Sequence, residues 1–106
     1  MQMKTLVLTA SAAVLSLGMI GSAAAADGAA LFKAKTCFSC HGQDAKTPII
    51  PMYPKLAGQS ADYAFNQMKD IKSGARNNGQ TAAMKGIMAM VSEDEMKAIA
   101  KWLSTL

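Results

Sequence analysis

The stretch Cys37-Phe38-Ser39-Cys40-His41 contains both cysteines and the only histidine of this 106-residue chain. Cys-x-x-Cys-His is the attachment signature for c-type haem. Two thiols three positions apart on a helical turn can each add to one of two vinyl groups on the same porphyrin edge, and the adjacent imidazole can then bind the iron. The motif therefore predicts one haem c, covalently bound through Cys37 and Cys40, with His41 as an axial ligand.

Three other uses of this motif fit the sequence less well. A redox-active dithiol typically lies in a thioredoxin-like βαβ pattern, and no strand is predicted here. A structural zinc site normally needs four protein ligands, whereas the chain has only two thiols and one imidazole. A plain disulfide would leave the adjacent histidine without a role.

The N-terminal segment has the pattern of a secretory signal peptide. No charged residue occurs from Thr5 to Ala26, and the apolar heart of this stretch, Leu6 to Ile20, is followed by small residues. These residues permit cleavage after Ala24, Ala25 or Ala26, and we predict Ala25. An uncleaved membrane anchor is the alternative, because about 20 apolar residues span a bilayer. The last third of the uncharged stretch consists largely of Gly, Ser and Ala, which favours cleavage and a periplasmic location.

The predicted domains are therefore a cleaved signal peptide at 1–25 and a monohaem domain at 26–106. A domain of about 80 residues has a marginal hydrophobic core, which a covalently attached haem would supplement. The net charge of +4 falls to about +3 without Lys4. The basic residues are scattered along the chain, so nucleic-acid binding is not indicated.

The mature sequence predicts an all-α fold, with three main helices and long loops around one haem. The first helix is predicted from Gly28 to about Thr36. The second begins after the N-cap Ser60 and ends at Gly74, and the third begins at the capping box Ser92-Glu93-Asp94-Glu95. The segments 42–59 and 75–91 are predicted to be loops.

Methionine is the expected sixth ligand of the iron, since no second histidine exists and a thioether raises the reduction potential. Met68 and Met96 lie on apolar helix stripes, which favours core packing. Met52 lies close to the cysteine motif, where geometry favours the histidine side of the ring. The residues alone leave three candidates open in the second loop: Met84, Met88 and Met90.

Four blocks of the mature chain resemble class I cytochromes c of the small bacterial periplasmic kind. The resemblance extends over nearly all the mature chain, and the order and spacing of the four blocks make it specific. The blocks are Cys37 to Gly42, Pro51 to Gln59, Phe65 through Lys72 to Arg76, and Ser92 to Glu95.

The resemblance implies roles for individual residues. The ligand methionine of the family matches Met84, with Met88 as the runner-up, although no proline accompanies Met84 as it does in many relatives. The proline whose carbonyl accepts a hydrogen bond from the ligand imidazole matches Pro51. The resemblance also implies that the haem pocket is lined by Tyr53, Leu56 and Gln59. Arg76 matches a position that pairs with a haem propionate or is a solvated arginine. The first and last helices are expected to cross closely through Gly28, Phe32 and Trp102.

These features predict a periplasmic one-electron carrier rather than an enzyme. Its partners would be redox proteins that donate and accept electrons, with only transient contact with the membrane through membrane-bound redox complexes. The alternative is a haem protein whose methionine ligand is labile and which binds small ligands or peroxide.

Overall fold

The structure is a computed structural model that describes residues 27–106, so the predicted signal peptide lies outside the described residues. The described part contains five helices and no strand, which confirms the all-α prediction. No helix in this part has the length and apolarity needed to cross a membrane. The helices are α1 (Gly28–Ala34), α2 (Phe38–His41), α3 (Ala61–Ser73), α4 (Thr81–Met88) and α5 (Glu93–Ser104).

The segment 75–91 differs from its predicted loop conformation, because it contains the two-turn helix α4. Met84, Ile87 and Met88 share one face of this helix at the i, i+3, i+4 spacing, and Met88 is buried in the core. A helix of eight residues is marginal on its own. Packing on α3, which the local sequence does not reveal, stabilises it.

The first helix is also shorter than predicted. It ends at Ala34, and Thr36 adopts a positive φ of 64° before the cysteine motif begins. A sharp turn at Thr36 therefore separates α1 from α2. At its N-terminus, α1 is capped by the Asp27 side chain, which accepts hydrogen bonds from the backbone N–H groups of Ala29 and Ala30.

The first and last helices cross at Gly28, as the resemblance implied. A Cβ atom at this position would overlap the Ala98 carbonyl oxygen and lie 2.5 Å from Trp102 Cβ. The rings of Phe32 and Trp102 pack beside this crossing, with their centroids 5.1 Å apart. Only a residue without a side chain allows the two backbones to approach so closely.

The core lies between α1, α3 and α5, with the end of α4 closing one side. The apolar residues of α5 that recur at helical spacing, Met96, Ile99, Ala100 and Leu103, are all buried. The buried core consists of Phe32, Ala45, Ala64, Ile71, Met88, Val91, Met96, Ile99, Ala100 and Leu103.

The predicted start and end of α3 and the predicted start of α5 are confirmed. Ser60 Oγ accepts a hydrogen bond of 3.2 Å from the backbone N–H of Tyr63, and Gly74 ends α3 in the left-handed conformation. Ser92 and Glu95 form a complete capping box, in which each side chain accepts a hydrogen bond from the backbone N–H of the other residue.

The capping box predicts an acid-dependent contribution to stability. The pKa of Glu95 is lowered below its ordinary value of 4.5, mainly because its carboxylate accepts a hydrogen bond from the Ser92 N–H. The nearby positive charge of Lys35 lowers this pKa further. A lowered carboxyl pKa contributes stability that is present above pH 4.5 and is lost as the pH falls through the folded-state value.

We therefore expect Glu95→Gln to lower the melting temperature at neutral pH, with a difference from wild type that shrinks as acid protonates Glu95. Thermal unfolding followed from neutral to acidic pH measures this difference. Glu93→Gln, which removes a charge from the same turn but not from the capping box, is the control. An equal, pH-independent effect of both substitutions would contradict the assignment.

Candidate functional site

The cysteine motif occupies a single tight turn. Cys37 is the N-cap residue of α2, and its carbonyl accepts hydrogen bonds from the backbone N–H groups of Cys40 and His41, at 3.3 and 3.1 Å. Residues three apart on such a turn share one face. The local fold therefore presents both thiols in the arrangement that attachment to one porphyrin edge requires.

The imidazole of His41 is buried, with only 5% of the residue exposed. Its Nδ1 lies 2.9 Å from the Pro54 carbonyl oxygen. Because a carbonyl only accepts, Nδ1 carries the proton, and the other ring nitrogen, Nε2, has a free lone pair. Nε2 makes no hydrogen bond within residues 27–106, so this buried polar atom is suited to binding a metal.

The proline assignment from the resemblance was wrong by three residues. Pro51 was expected to supply the carbonyl partner of His41, and the structure assigns that position to Pro54. Pro51 lies exposed in a turn closed by a hydrogen bond of 3.1 Å from the Tyr53 N–H to the Ile50 carbonyl. The chain returns toward His41 only after this turn.

The two thiols are half-buried and do not form a disulfide in the structure. Burial raises the pKa of the Cys37 thiol, an effect partly opposed by a backbone hydrogen bond. Reactive dithiols depend on the opposite shift, a lowered pKa that provides thiolate at neutral pH. The environment of Cys37 is thus unlike that of a thiol–disulfide catalyst.

The loop after the motif is anchored by backbone hydrogen bonds. The Ala45 carbonyl accepts from the N–H groups of Leu56 and Ala57, at 2.9 and 3.0 Å, and the Gly58 N–H donates to the Leu103 carbonyl at 2.9 Å. These bonds hold the half-buried Leu56 side chain against the core. They also fix the segment that carries Pro54.

The other predicted pocket residues occupy different environments. Tyr53 is half-buried, whereas Gln59 is exposed and its Oε1 accepts a hydrogen bond of 3.0 Å from the Ser60 N–H. Arg76 is half-buried and donates from Nη1 to Gln67 Oε1 at 3.1 Å. The structure thus gives Gln59 and Arg76 partners within the protein.

The methionines differ sharply in their exposure. Met88 and Met96 are core residues, exposed by 2% and 1%. Met52 and Met90 are largely exposed, by 65% and 63%. Of the six methionines in residues 27–106, only Met68 and Met84 are half-buried at the edge of the core.

A haem fits the residues present in three respects. Two thiols lie on one turn, and a buried imidazole has an unpaired Nε2. In addition, apolar side chains from four segments of the chain pack against the core while remaining partly exposed, as expected of groups that contact an apolar cofactor. They include Phe38, Leu56, Phe65, Met68 and Met84.

Comparison with known proteins agrees with this chemistry. Residues 25–106 match the family model described as cytochrome c. The chain is 35% identical over 103 residues to cytochrome c-553 of Nitratidesulfovibrio vulgaris, and the match covers 97% of this chain and 98% of that protein.

Two longer proteins are similar as well. Cytochrome c4 of Pseudomonas aeruginosa is 39% identical over 94 residues, covering 87% of this chain and 45% of that protein. A thiosulfate dehydrogenase electron acceptor of Stutzerimonas stutzeri is 38% identical over 104 residues, covering 92% of this chain and 46% of that protein. The chain thus spans less than half the length of each of these two relatives.

The chain belongs to the cytochrome c family. More narrowly, it is a small class I c-type cytochrome, an electron-carrying protein that binds haem c covalently through Cys37 and Cys40 of its Cys-x-x-Cys-His motif.

Proposed function

We propose that this protein is a periplasmic one-electron carrier whose iron is ligated by His41 and Met84. The observation that carries the ligand assignment is the exposure of the three candidate methionines. Met88 is 2% exposed within the core, and Met90 is 63% exposed on the surface. Of these three candidates, Met84 alone lies at the boundary of the core, where a side chain can both be sheltered from water and face a cofactor.

The histidine side of the proposed site is supported by the hydrogen bond to Pro54. This bond holds the proton on Nδ1 and orients the ring, and it increases the electron density available at Nε2. Burial of the imidazole also keeps water away from Nε2. His41 is therefore suited to be a permanent ligand of the iron.

A haem with His and Met ligands would supply reversible one-electron chemistry without an open coordination position. The protein would then bind, shield and tune the haem, and would offer no site for a substrate. We accordingly propose a carrier rather than an enzyme, which exchanges electrons with redox proteins as donor and acceptor. Its contact with membranes would be transient, through membrane-bound redox complexes.

A second candidate function is the binding of small ligands or peroxide at the methionine side. The observation that favours it is the low intrinsic stability of α4. Gln80, the residue before this helix, makes no side-chain capping hydrogen bond, and Gly86 lowers the helix propensity by about 1 kcal/mol relative to alanine. A labile Met84 would leave the iron accessible.

Substitution of Met84 tests the ligand assignment. We expect Met84→Ala to abolish the weak far-red absorption band of ferric haem with methionine ligation and to lower the reduction potential, because the thioether favours ferrous iron. Met88→Leu, a core substitution of similar volume, should cost less than about 1.5 kcal/mol of stability and retain the band.

The two candidate functions give opposite results with carbon monoxide. The reduced wild-type carrier should bind this ligand slowly, and Met84→Ala should bind it rapidly. Rapid binding by the wild type would favour the labile-ligand function. Retention of the band in Met84→Ala together with its loss in Met88→Leu would move the assignment to Met88.

The location is proposed from the N-terminal sequence, with its uncharged segment and small residues. Intact mass of the protein purified from a periplasmic fraction should correspond to residues 26–106 plus one haem. A mass that includes residues 1–25 would contradict cleavage after Ala25 while leaving the haem assignment intact.

A further inference from the structure

We infer that Lys35 and Lys72 form a clamp that positions the Met84 helix at the iron. The clamp acts on the α4–α5 connection, which we define as residues 89–92. This inference rests on the proposed ligation by Met84. It goes beyond that proposal by assigning a role to two residues outside the haem motif and outside α4.

The two lysines reach the connection from different helices. Lys35, the C-cap residue of α1, donates from Nζ to the Met90 carbonyl at 3.0 Å. Lys72, in the last turn of α3, donates from Nζ to the Val91 carbonyl at 2.5 Å. Adjacent carbonyls of one short connection are therefore each held by an ammonium group.

The Lys35 contact also joins the clamp to α5. Its Nζ lies 3.5 Å from Glu95 Oε1, the same oxygen that accepts the Ser92 N–H at 2.9 Å in the capping box. Lys35 thus connects the end of α1, the α4–α5 connection and the start of α5. The ammonium groups lie just beyond the C-terminus of α4, where positive charge is favourable to the helix dipole.

Burial in the hydrophobic core also holds the α4–α5 connection and the end of α4 in place. Val91 and Met88 are exposed by only 1% and 2%. A connection with one buried side chain, Val91, next to the buried end of α4 and with two carbonyls held by charged donors has little freedom to shift. Met84 lies one helical turn before Met88, so the anchored end of α4 positions the backbone from which the Met84 side chain extends.

Helix α4 has low intrinsic stability, although the backbone N–H and the hydroxyl of Thr81 both donate to the Asn78 carbonyl at its start. Gln80 provides no capping hydrogen bond, Gly86 lies within the helix, and a helix of eight residues has little stability of its own. No proline stiffens the segment around Met84. The clamp at the C-terminal end would therefore supply rigidity that the local sequence lacks.

Loss of the clamp should make the Met84 segment open locally, which a general loss of protein stability would not do selectively. An external ligand such as imidazole binds ferric iron only after the methionine has moved away, while the rest of the protein stays folded. Weakening the clamp should favour this local opening. We expect Lys72→Met and Lys35→Met each to raise the imidazole affinity about threefold to tenfold, with a larger rise in the double variant.

The experiment compares variants of the ferric holoprotein at neutral pH. Imidazole titration gives the affinity, and amide hydrogen exchange at Ala89, Met90 and Val91 gives the opening of the connection independently of the haem. Lys72→Arg, which keeps a cationic donor, should restore most of the wild-type behaviour. Lys101→Met is the control, since Lys101 is an exposed lysine of α5 with no side-chain hydrogen bond within residues 27–106.

The outcomes separate the clamp from the ligand assignment. If Met84→Ala loses the far-red band but both lysine variants keep wild-type imidazole affinity and exchange rates, the clamp is overturned and the carrier proposal stands. If Met84→Ala retains the band, the ligand assignment is wrong and the clamp loses its connection with the iron. Equal effects of Lys101→Met would also overturn the clamp, because they would indicate a response to net charge.

Discussion

Replacement of both Cys37 and Cys40 by Ala is expected to yield a colourless protein that lacks a cooperative thermal transition. Both thioether bonds are lost, and a domain of about 80 residues has a core too small to offset its conformational entropy without help. The partly exposed apolar side chains around the motif, such as Phe38 and Leu56, would then face water. We expect the loss to remove most of a total stability of about 5–15 kcal/mol.

Circular dichroism and visible absorption of the protein made in cells with haem-attachment machinery measure this result. The control is Ser39→Ala, inside the same motif. Ser39 is exposed, and within residues 27–106 its side chain makes one hydrogen bond, in which it donates to the Thr36 carbonyl at 2.7 Å, so its loss should cost about 1 kcal/mol or less. A cooperative transition near the wild-type temperature in the double cysteine variant would show that the polypeptide folds without haem.

The second large effect is expected at Gly28. An added methyl group at this position would overlap the Ala98 carbonyl oxygen and the Cβ of Trp102. These atoms belong to the backbone and to the base of a side chain, so they cannot rotate away, and the α1–α5 crossing must open. We expect Gly28→Ala to destabilise the holoprotein by about 3 kcal/mol, although glycine to alanine in a helix ordinarily stabilises by about 1 kcal/mol.

Gly86 provides a matched control because it also lies within a helix, but nothing lies within 4 Å of the position its Cβ would occupy. Gly86→Ala should therefore stabilise the protein by about 0.5–1 kcal/mol. Denaturant unfolding of both holoproteins gives the two values. Similar changes of the same sign would mean that the helix crossing tolerates a methyl group and that its packing is looser than the structure indicates.

The helix ends illustrate what local sequence is able to predict. Ser60, Gly74 and the Ser92–Glu95 capping box act on backbone groups within a few residues, so their roles follow from short patterns and are confirmed by the structure. Helix α4 escaped prediction because its stability depends on packing against α3. Asn77, Asn78 and Gly79 before it are residues typical of a turn, but such a local pattern does not specify where the turn ends.

The hydrogen-bond partner of the His41 imidazole is likewise not specified by local sequence. Prolines at positions 48, 51 and 54 lie in one loop, and each has a carbonyl that could accept a hydrogen bond. The choice of Pro54 depends on the turn at Ile50–Tyr53 and on the anchoring of the loop through Ala45. These are contacts between residues that no spacing rule connects with His41.

The sequence by itself determined the haem motif, because covalent attachment requires two thiols and an imidazole at a fixed local spacing. It also determined the all-α class, because helical periodicity and caps are local properties. The different burial of Met84, Met88 and Met90, on which the proposed ligand rests, is a property of the tertiary structure, and only the tertiary structure brought Lys35 and Lys72 to one connection. Burial and long-range hydrogen bonds arise when distant segments pack together, and the pattern around any one residue does not specify them.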